Sequence, residues 1–219
     1  MIPDIVDEIV IYCHGFGDNK EYYKQHTYLL DNNIGIISFD LPSHGSDTSS
    51  NIEFNLSNCL NYLDRVVKDI ESKYKDIPIS IIGSSFGGFL ALTYINNYKY
   101  KFNRVFLKFP AVNFYDCIKR KLNIIDIDEY YELKNGFKLY KSSFDSFNNN
   151  LMDNFNKYDN DIYIIHGDKD STVLLEDIIY FSNKYNIKCN IIKGAKHGMK
   201  DYLDIVDREI IGYFGKQKK

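Results

Sequence analysis

Six short runs of β-branched and other apolar residues recur along the chain, each followed by a loop and most then by a stretch with helical spacing. That alternation limits the fold more than any other feature. The runs are Glu8-Ile9-Val10-Ile11-Tyr12-Cys13, Gly35-Ile36-Ile37-Ser38-Phe39, Pro78-Ile79-Ser80-Ile81-Ile82-Gly83, Arg104-Val105-Phe106-Leu107-Lys108-Phe109, Ile162-Tyr163-Ile164-Ile165-His166 and Lys188-Cys189-Asn190-Ile191-Ile192. They have the length of strands and read as buried ones. Helices are expected over residues 19–32, 55–75, 86–97, 174–185 and 201–214. In the second, Leu56, Leu60, Leu63, Val66, Val67 and Ile70 fall on one side. The pattern predicts one α/β domain over residues 1–219, with about six mainly parallel strands and helices on both faces. Right-handed crossovers bring the C-terminal ends of such strands to one sheet edge, where ligands of open α/β sheets bind.

One stretch breaks the rhythm. Between Pro110 and Asn160 no clear strand–helix unit is visible, and a structureless loop of that length is unusual in a compact domain. Tyr130 to Leu133 and Phe137 to Tyr140 flank Asn135-Gly136, a strong hairpin signal. A small cap or lid over the strand ends is therefore expected within residues 111–160.

Composition removes several function classes. A formal net charge of -3 gives no electrostatic argument for nucleic acid or an anionic membrane surface. Lys216 to Lys219 is too short a cluster to change that and reads as a solvated terminus. No apolar run reaches the roughly 20 residues that span a bilayer, and no basic segment followed by an apolar one marks a signal peptide, so a cytoplasmic location is expected. Cys13, Cys59, Cys117 and Cys189 form no C-x-x-C pair, which leaves a zinc knuckle or a thiol redox site unsupported; no metal is expected. The Asn148 to Asn150 run reads as compositional bias.

The chemistry lies in the loops after the strands. The third run ends in Gly83-Ser84-Ser85-Phe86-Gly87-Gly88, and a helix begins at once. This is G-x-S-x-G between a strand and a helix, where a serine on a sharp turn points off the sheet edge and backbone N–H groups face developing negative charge. A helix-capping serine turn is the bland alternative. Ser85 as a nucleophile needs a base. His197, in Gly194-Ala195-Lys196-His197-Gly198-Met199, follows the last strand and shares that edge. His26 falls within a helix and reads as structural or exposed. A carboxylate must fix the base's tautomer, and two compete after the fifth strand, Asp168 and Asp170. One oxyanion donor is the N–H of Phe86. The other is assigned to Phe16, in His14-Gly15-Phe16-Gly17-Asp18, whose glycines let the loop turn an N–H inward. Asp40 and His44, in Asp40-Leu41-Pro42-Ser43-His44-Gly45, read as architectural.

Taken together, HGFGD at 14–18, DLPSHG at 40–45, GSSFGG at 83–88, HGDKD at 166–170 and GAKHGM at 194–199 resemble the α/β-hydrolase family and span nearly the whole chain. The resemblance implies an α/β-hydrolase fold and a Ser85, Asp170, His197 triad, because the family's acid stands three residues after the HG of its HGxxD motif. Phe16 and Phe86 are implied as oxyanion donors, and no metal or organic cofactor. Within the family, the HGF loop with an insertion before the acid is similar to the carboxylesterase and feruloyl (cinnamoyl) esterase group, which implies a small-molecule ester substrate. Thioesterase or lipase-like hydrolysis and a non-catalytic ligand-binding protein are the alternatives. A peptidase would need a substrate-binding domain that this length does not accommodate. One departure stands out: relatives usually carry two further strands before the HG strand. The missing hairpin leaves a sheet edge to be protected in another way, for which a homo-oligomer offers one route.

Overall fold

The computed structural model describes residues 1–46, 52–133, 137–149 and 151–215. The Asn135-Gly136 turn, Asn150 and Lys216 to Lys219 lie outside them. A six-stranded parallel sheet is built from β1 (Glu8–Cys13), β2 (Ile34–Ser38), β3 (Ile79–Ser84), β4 (Val105–Lys108), β7 (Ile162–Gly167) and β8 (Lys188–Ile192) in the order β2-β1-β3-β4-β7-β8. A separate antiparallel pair joins β5 (Tyr130–Glu132) to β6 (Lys138–Tyr140), with Tyr131 opposite Leu139. The α/β expectation holds, and the strand boundaries differ from those read in the sequence by a residue or two.

Helices cover both faces. On one, Ile9, Ile11, Ile81 and Leu107 share a core with α1 (Leu56–Lys73), α2 (Phe86–Tyr98) and, through Ile178 and Phe181, α6 (Leu175–Lys184). On the other, Val10, Tyr12, Ile82 and Phe106 meet α7 (Leu203–Phe214) through Val206, Ile210 and Phe214. α1 forms because Leu60, Leu63, Val67 and Ile70 recur at helical spacing and the Asn55 side chain accepts the Asn58 N–H at 2.9 Å. α2 is buried on every side from Phe86 to Ile95, as suits a helix at the centre of a layer. No helix among the described residues is long and apolar enough to cross a membrane.

Two expectations change. Residues 19–32 form a 3-10 segment, Lys20–Asn32, that departs from helical geometry at His26. His26 is buried between Tyr12 and Tyr28; it is not exposed. The described residues of the 111–160 stretch also carry more regular structure than its sequence indicates. It contains α3 (Phe114–Leu122), the β5–β6 pair, α4 (Lys141–Ser146) and α5 (Leu151–Asn154). Their apolar residues close over the start of α2, with the Phe86 ring 4.5 Å from Phe114 and 5.5 Å from Phe147. At the β2 edge the chain covers itself in part: the Met1 carbonyl accepts the Ile36 N–H at 2.8 Å, and the Met1 amino group donates to the Ile36 carbonyl at 2.6 Å.

Candidate active site

Ser85 stands between β3 and α2 with φ at 51° and ψ at -111°, a conformation few non-glycine residues hold. Its N–H donates to the Lys108 carbonyl at 3.0 Å, and its own carbonyl accepts the Gly88 and Ala111 N–H groups at 3.0 and 3.1 Å. The neighbouring strand thus holds the turn that pushes the side chain off the sheet edge. The flanking glycines are steric requirements. A Cβ on Gly83 would lie 2.7 Å from the Gly87 carbonyl oxygen, and one on Gly87 would lie 2.1 Å from the Cys13 carbonyl oxygen.

The residues singled out in three other loops meet Ser85 here. Ser85 Oγ is 3.0 Å from His197 Nε2, and His197 Nδ1 is 2.7 Å from Asp170 Oδ2. A carboxylate only accepts, so Nδ1 carries the proton and the Nε2 lone pair faces the serine hydroxyl. Asp170 Oδ1 accepts the Thr172 and Val173 N–H groups, both at 2.9 Å. Burial pushes this carboxyl's pKa up. The hydrogen bond and field of His197 and the two amides outweigh burial and hold the value below the ordinary one. Asp168 instead accepts the Gly194 N–H at 2.6 Å and bonds the turn that carries His197. The Phe109 ring meets the His197 ring edge-on at 4.9 Å.

The HGFGD loop passes beside the serine, and a Cβ on Gly15 would lie 3.5 Å from Ser85 Cβ. His14 sets this loop. Its Nε2 accepts the Leu41 N–H at 3.1 Å, so Nδ1 is the protonated nitrogen and donates to the Gly15 carbonyl at 2.8 Å. Burial keeps His14 neutral, with a pKa pushed down to about 4. Among the described residues, neither the Phe16 nor the Phe86 N–H donates to a backbone carbonyl. Asp40 receives Lys20 Nζ at 2.8 Å and the Ser46 N–H at 3.0 Å, and His44 is buried against Phe16 and Phe54. Both do architectural work in the fold.

A cleft of about 450 Å³ opens on Ser85 and His197. Gly15, Phe16 and Phe109 form part of its wall, together with residues that sequence reasoning passed over: Asp18, Lys108 and Lys121. Lys108 and Phe109 close the fourth strand at the ligand-binding edge, which is the signal that could have found them. A larger hollow of about 800 Å³, lined by Arg104, Asp161 and Arg208, lies at the opposite end of the strands, away from the serine.

Parallel strand order, a strained serine turn at the sheet edge and a late histidine loop define an α/β-hydrolase fold. A model of the hydrolase family described as serine aminopeptidase, S33, matches residues 4–126, more than half of the chain, and the chain belongs to that serine hydrolase family. No curated protein matches it. Solved structures share the fold at low identity. Est1E from Butyrivibrio proteoclasticus, solved with ferulic acid bound, is 20% identical with a TM-score of 0.80, covering 99% of this chain and 94% of that one. A monoacylglycerol lipase from Paleococcus ferrophilus is 15% identical with a TM-score of 0.78, covering 97% and 96%. The esterase EaEST from Exiguobacterium antarcticum is 17% identical with a TM-score of 0.72, covering 95% and 92%.

Proposed function

We propose that the chain is a carboxylesterase that cleaves small esters through an acyl-enzyme on Ser85. The observation that carries this reading is the continuous hydrogen-bonded line from Ser85 Oγ through His197 to Asp170, at 3.0 and 2.7 Å. His197 Nε2 takes the hydroxyl proton as Oγ attacks the ester carbonyl. The Phe16 and Phe86 N–H groups receive the oxyanion, Phe86 from the first turn of α2. The tetrahedral intermediate collapses, and His197 returns the proton to the leaving alcohol. A water then gives its proton to His197 and attacks the acyl carbon, which frees the acid and restores Ser85. Asp170 orients the imidazole and stabilises its charged form.

Residues 111–160 act as a cap in this reading, because α3 carries Lys121 to the cleft and its aromatics seal the layer above Phe86. The aromatic side of the cleft, with Phe16, Tyr22 and Phe109, suits an acyl group of modest size, and the ferulate-bound relative makes cinnamoyl esters the first to try. Methyl ferulate and p-nitrophenyl acetate, butyrate and octanoate should be hydrolysed, with loss of at least about 10³-fold in Ser85→Ala. Aminoacyl p-nitroanilides should not be turned over. Ester hydrolysis that persists in Ser85→Ala, or anilide cleavage in place of ester cleavage, overturns the proposal.

A further inference from the structure

The wall of the cleft beside Ser85 carries three lysines, Lys108, Lys121 and Lys200, against one carboxylate, Asp18. Lys108 is the unusual member. It ends β4, next to the serine turn, and its side chain is buried at 5% exposure. An ammonium has three N–H bonds. Among the described residues, the one hydrogen-bond acceptor that Lys108 meets is His26 Nε2, at 3.0 Å. That acceptor is neutral: His26 Nδ1 donates to Tyr28 Oη at 3.0 Å, and Tyr28 donates to Asp207 at 2.9 Å. The Tyr12 ring lies 5.2 Å from Lys108 Nζ and adds a cation–π contact. No carboxylate lies within ion-pair distance of Lys108 or Lys121 among the described residues, although Asp18 and Asp207 contribute field at Lys108. Lys121 extends from the end of α3 to the Phe16 carbonyl at 3.4 Å and lies 5.5 Å from that ring's centre.

Burying an underpartnered ammonium is unfavourable, and an apolar side chain of similar size would pack there without that cost. Purely structural anchoring of the Lys20–Asn32 segment would not need the charge. A cation kept at the wall of a cleft that opens on a nucleophile fits a partner that arrives with the substrate.

We propose that the cleft selects esters bearing an anionic group, a carboxylate or a phosphate, which is received by Lys108 and Lys121. Charge-assisted hydrogen bonds then hold the substrate beside Ser85 and replace the missing partner of Lys108. Asp18 offsets one of the positive charges and leaves the wall net cationic. The proposal rests on the reading of Ser85 as the nucleophile, and its test separates the two.

Matched esters differ by one charge: monomethyl glutarate against methyl valerate places it on the acid side, and butyryl glycolate against propyl butyrate places it on the alcohol side. The wild type should favour the charged member of at least one pair by about tenfold or more in kcat/KM. That ratio should fall towards one in Lys108→Met and in Lys121→Met. Because the readout is a ratio, a partial loss of folded protein does not mimic the effect. Calorimetry on Ser85→Ala, which should not turn over ester, reads the same preference as binding of the four esters. Equal kcat/KM and equal binding within both pairs overturn the proposal, as does a preference that survives both lysine substitutions. If the wild type hydrolyses neither these four esters nor p-nitrophenyl butyrate, the esterase reading fails, and the binding arm still decides whether the cleft takes an anion.

Discussion

Replacing Asp170 by asparagine separates positioning from mere proximity. Asp170 Oδ1 accepts the Thr172 and Val173 N–H groups, each at 2.9 Å, while Oδ2 faces His197 Nδ1 at 2.7 Å. In Asp170→Asn the amide oxygen must stay on the two backbone donors, because turning it would set an NH₂ against two N–H groups. The amide nitrogen is thereby forced towards His197 and donates to Nδ1. Imidazole then carries its proton on Nε2, and the lone pair that should accept the Ser85 proton is gone. The loss of base and of imidazolium stabilisation together corresponds to about 10⁴-fold in kcat, or about 5 kcal/mol. Asp168→Asn should cost less than about threefold, because its amide oxygen can still accept the Gly194 N–H. Steady-state hydrolysis of p-nitrophenyl butyrate at neutral pH, with near-ultraviolet circular dichroism to verify folding, measures both. An Asp170→Asn enzyme that keeps a tenth of wild-type kcat refutes the reasoning, and so does an Asp168→Asn enzyme that loses more.

Two further predictions concern stability. Gly87→Ala drives a methyl group to 2.1 Å from the Cys13 carbonyl oxygen, and both atoms sit on rigid elements. Chemical denaturation should show a loss of about 1–3 kcal/mol or more, and a variant of unchanged stability would mean that α2 does not pack so closely on β1. Lys108 should make its burial visible as a pH slope. Burial pushes its pKa down to about 8 from an ordinary 10.5, against the opposing fields of Asp207 and Asp18. Below pH 8 both folded and unfolded chains hold the proton and the folded state bears the full cost. Between about 8 and 10.5 only the unfolded chain holds it, so wild-type stability should gain on that of Lys108→Met as pH rises, by at most about 1.4 kcal/mol per pH unit. Urea unfolding of both proteins at pH 7, 8, 9 and 10 measures this, and parallel profiles would contradict the burial.

The strands were legible because a buried parallel strand writes its own signature. In Glu8–Cys13, buried throughout, the apolar run and the element coincide. Lys188–Ile192 also matches its run, but it is an edge strand in which only Ile192 is buried, so the expectation of a fully buried strand fails there. The loops that gather at the sheet edge were legible for the same reason, since chain order and strand ends fix where Ser85, Asp170 and His197 stand. α3 was not read as a unit. Its buried face is only Phe114, Cys117 and Ile118, little more than one turn, which is too short for a period to emerge. His26, where the 3-10 segment is distorted, and the buried Lys108 meet across 82 positions of sequence. Lys108 reads locally as the end of an apolar run, and no neighbour in sequence marks it as a cation without a counter-ion. The strand end marks Lys108 and Phe109 as cleft residues; what stayed hidden is what packing between elements adds to the wall, Lys121 from α3 and the contact of Lys108 with His26.

The central claim is that Ser85 is a nucleophile activated by His197. The most direct measurement is reaction with a fluorophosphonate followed by mass spectrometry of the intact protein and of its peptides. One adduct per chain is expected, located on Ser85, absent from Ser85→Ala and formed far more slowly in His197→Ala. A wild-type chain that stays unlabelled, or a label that persists in Ser85→Ala, would contradict it.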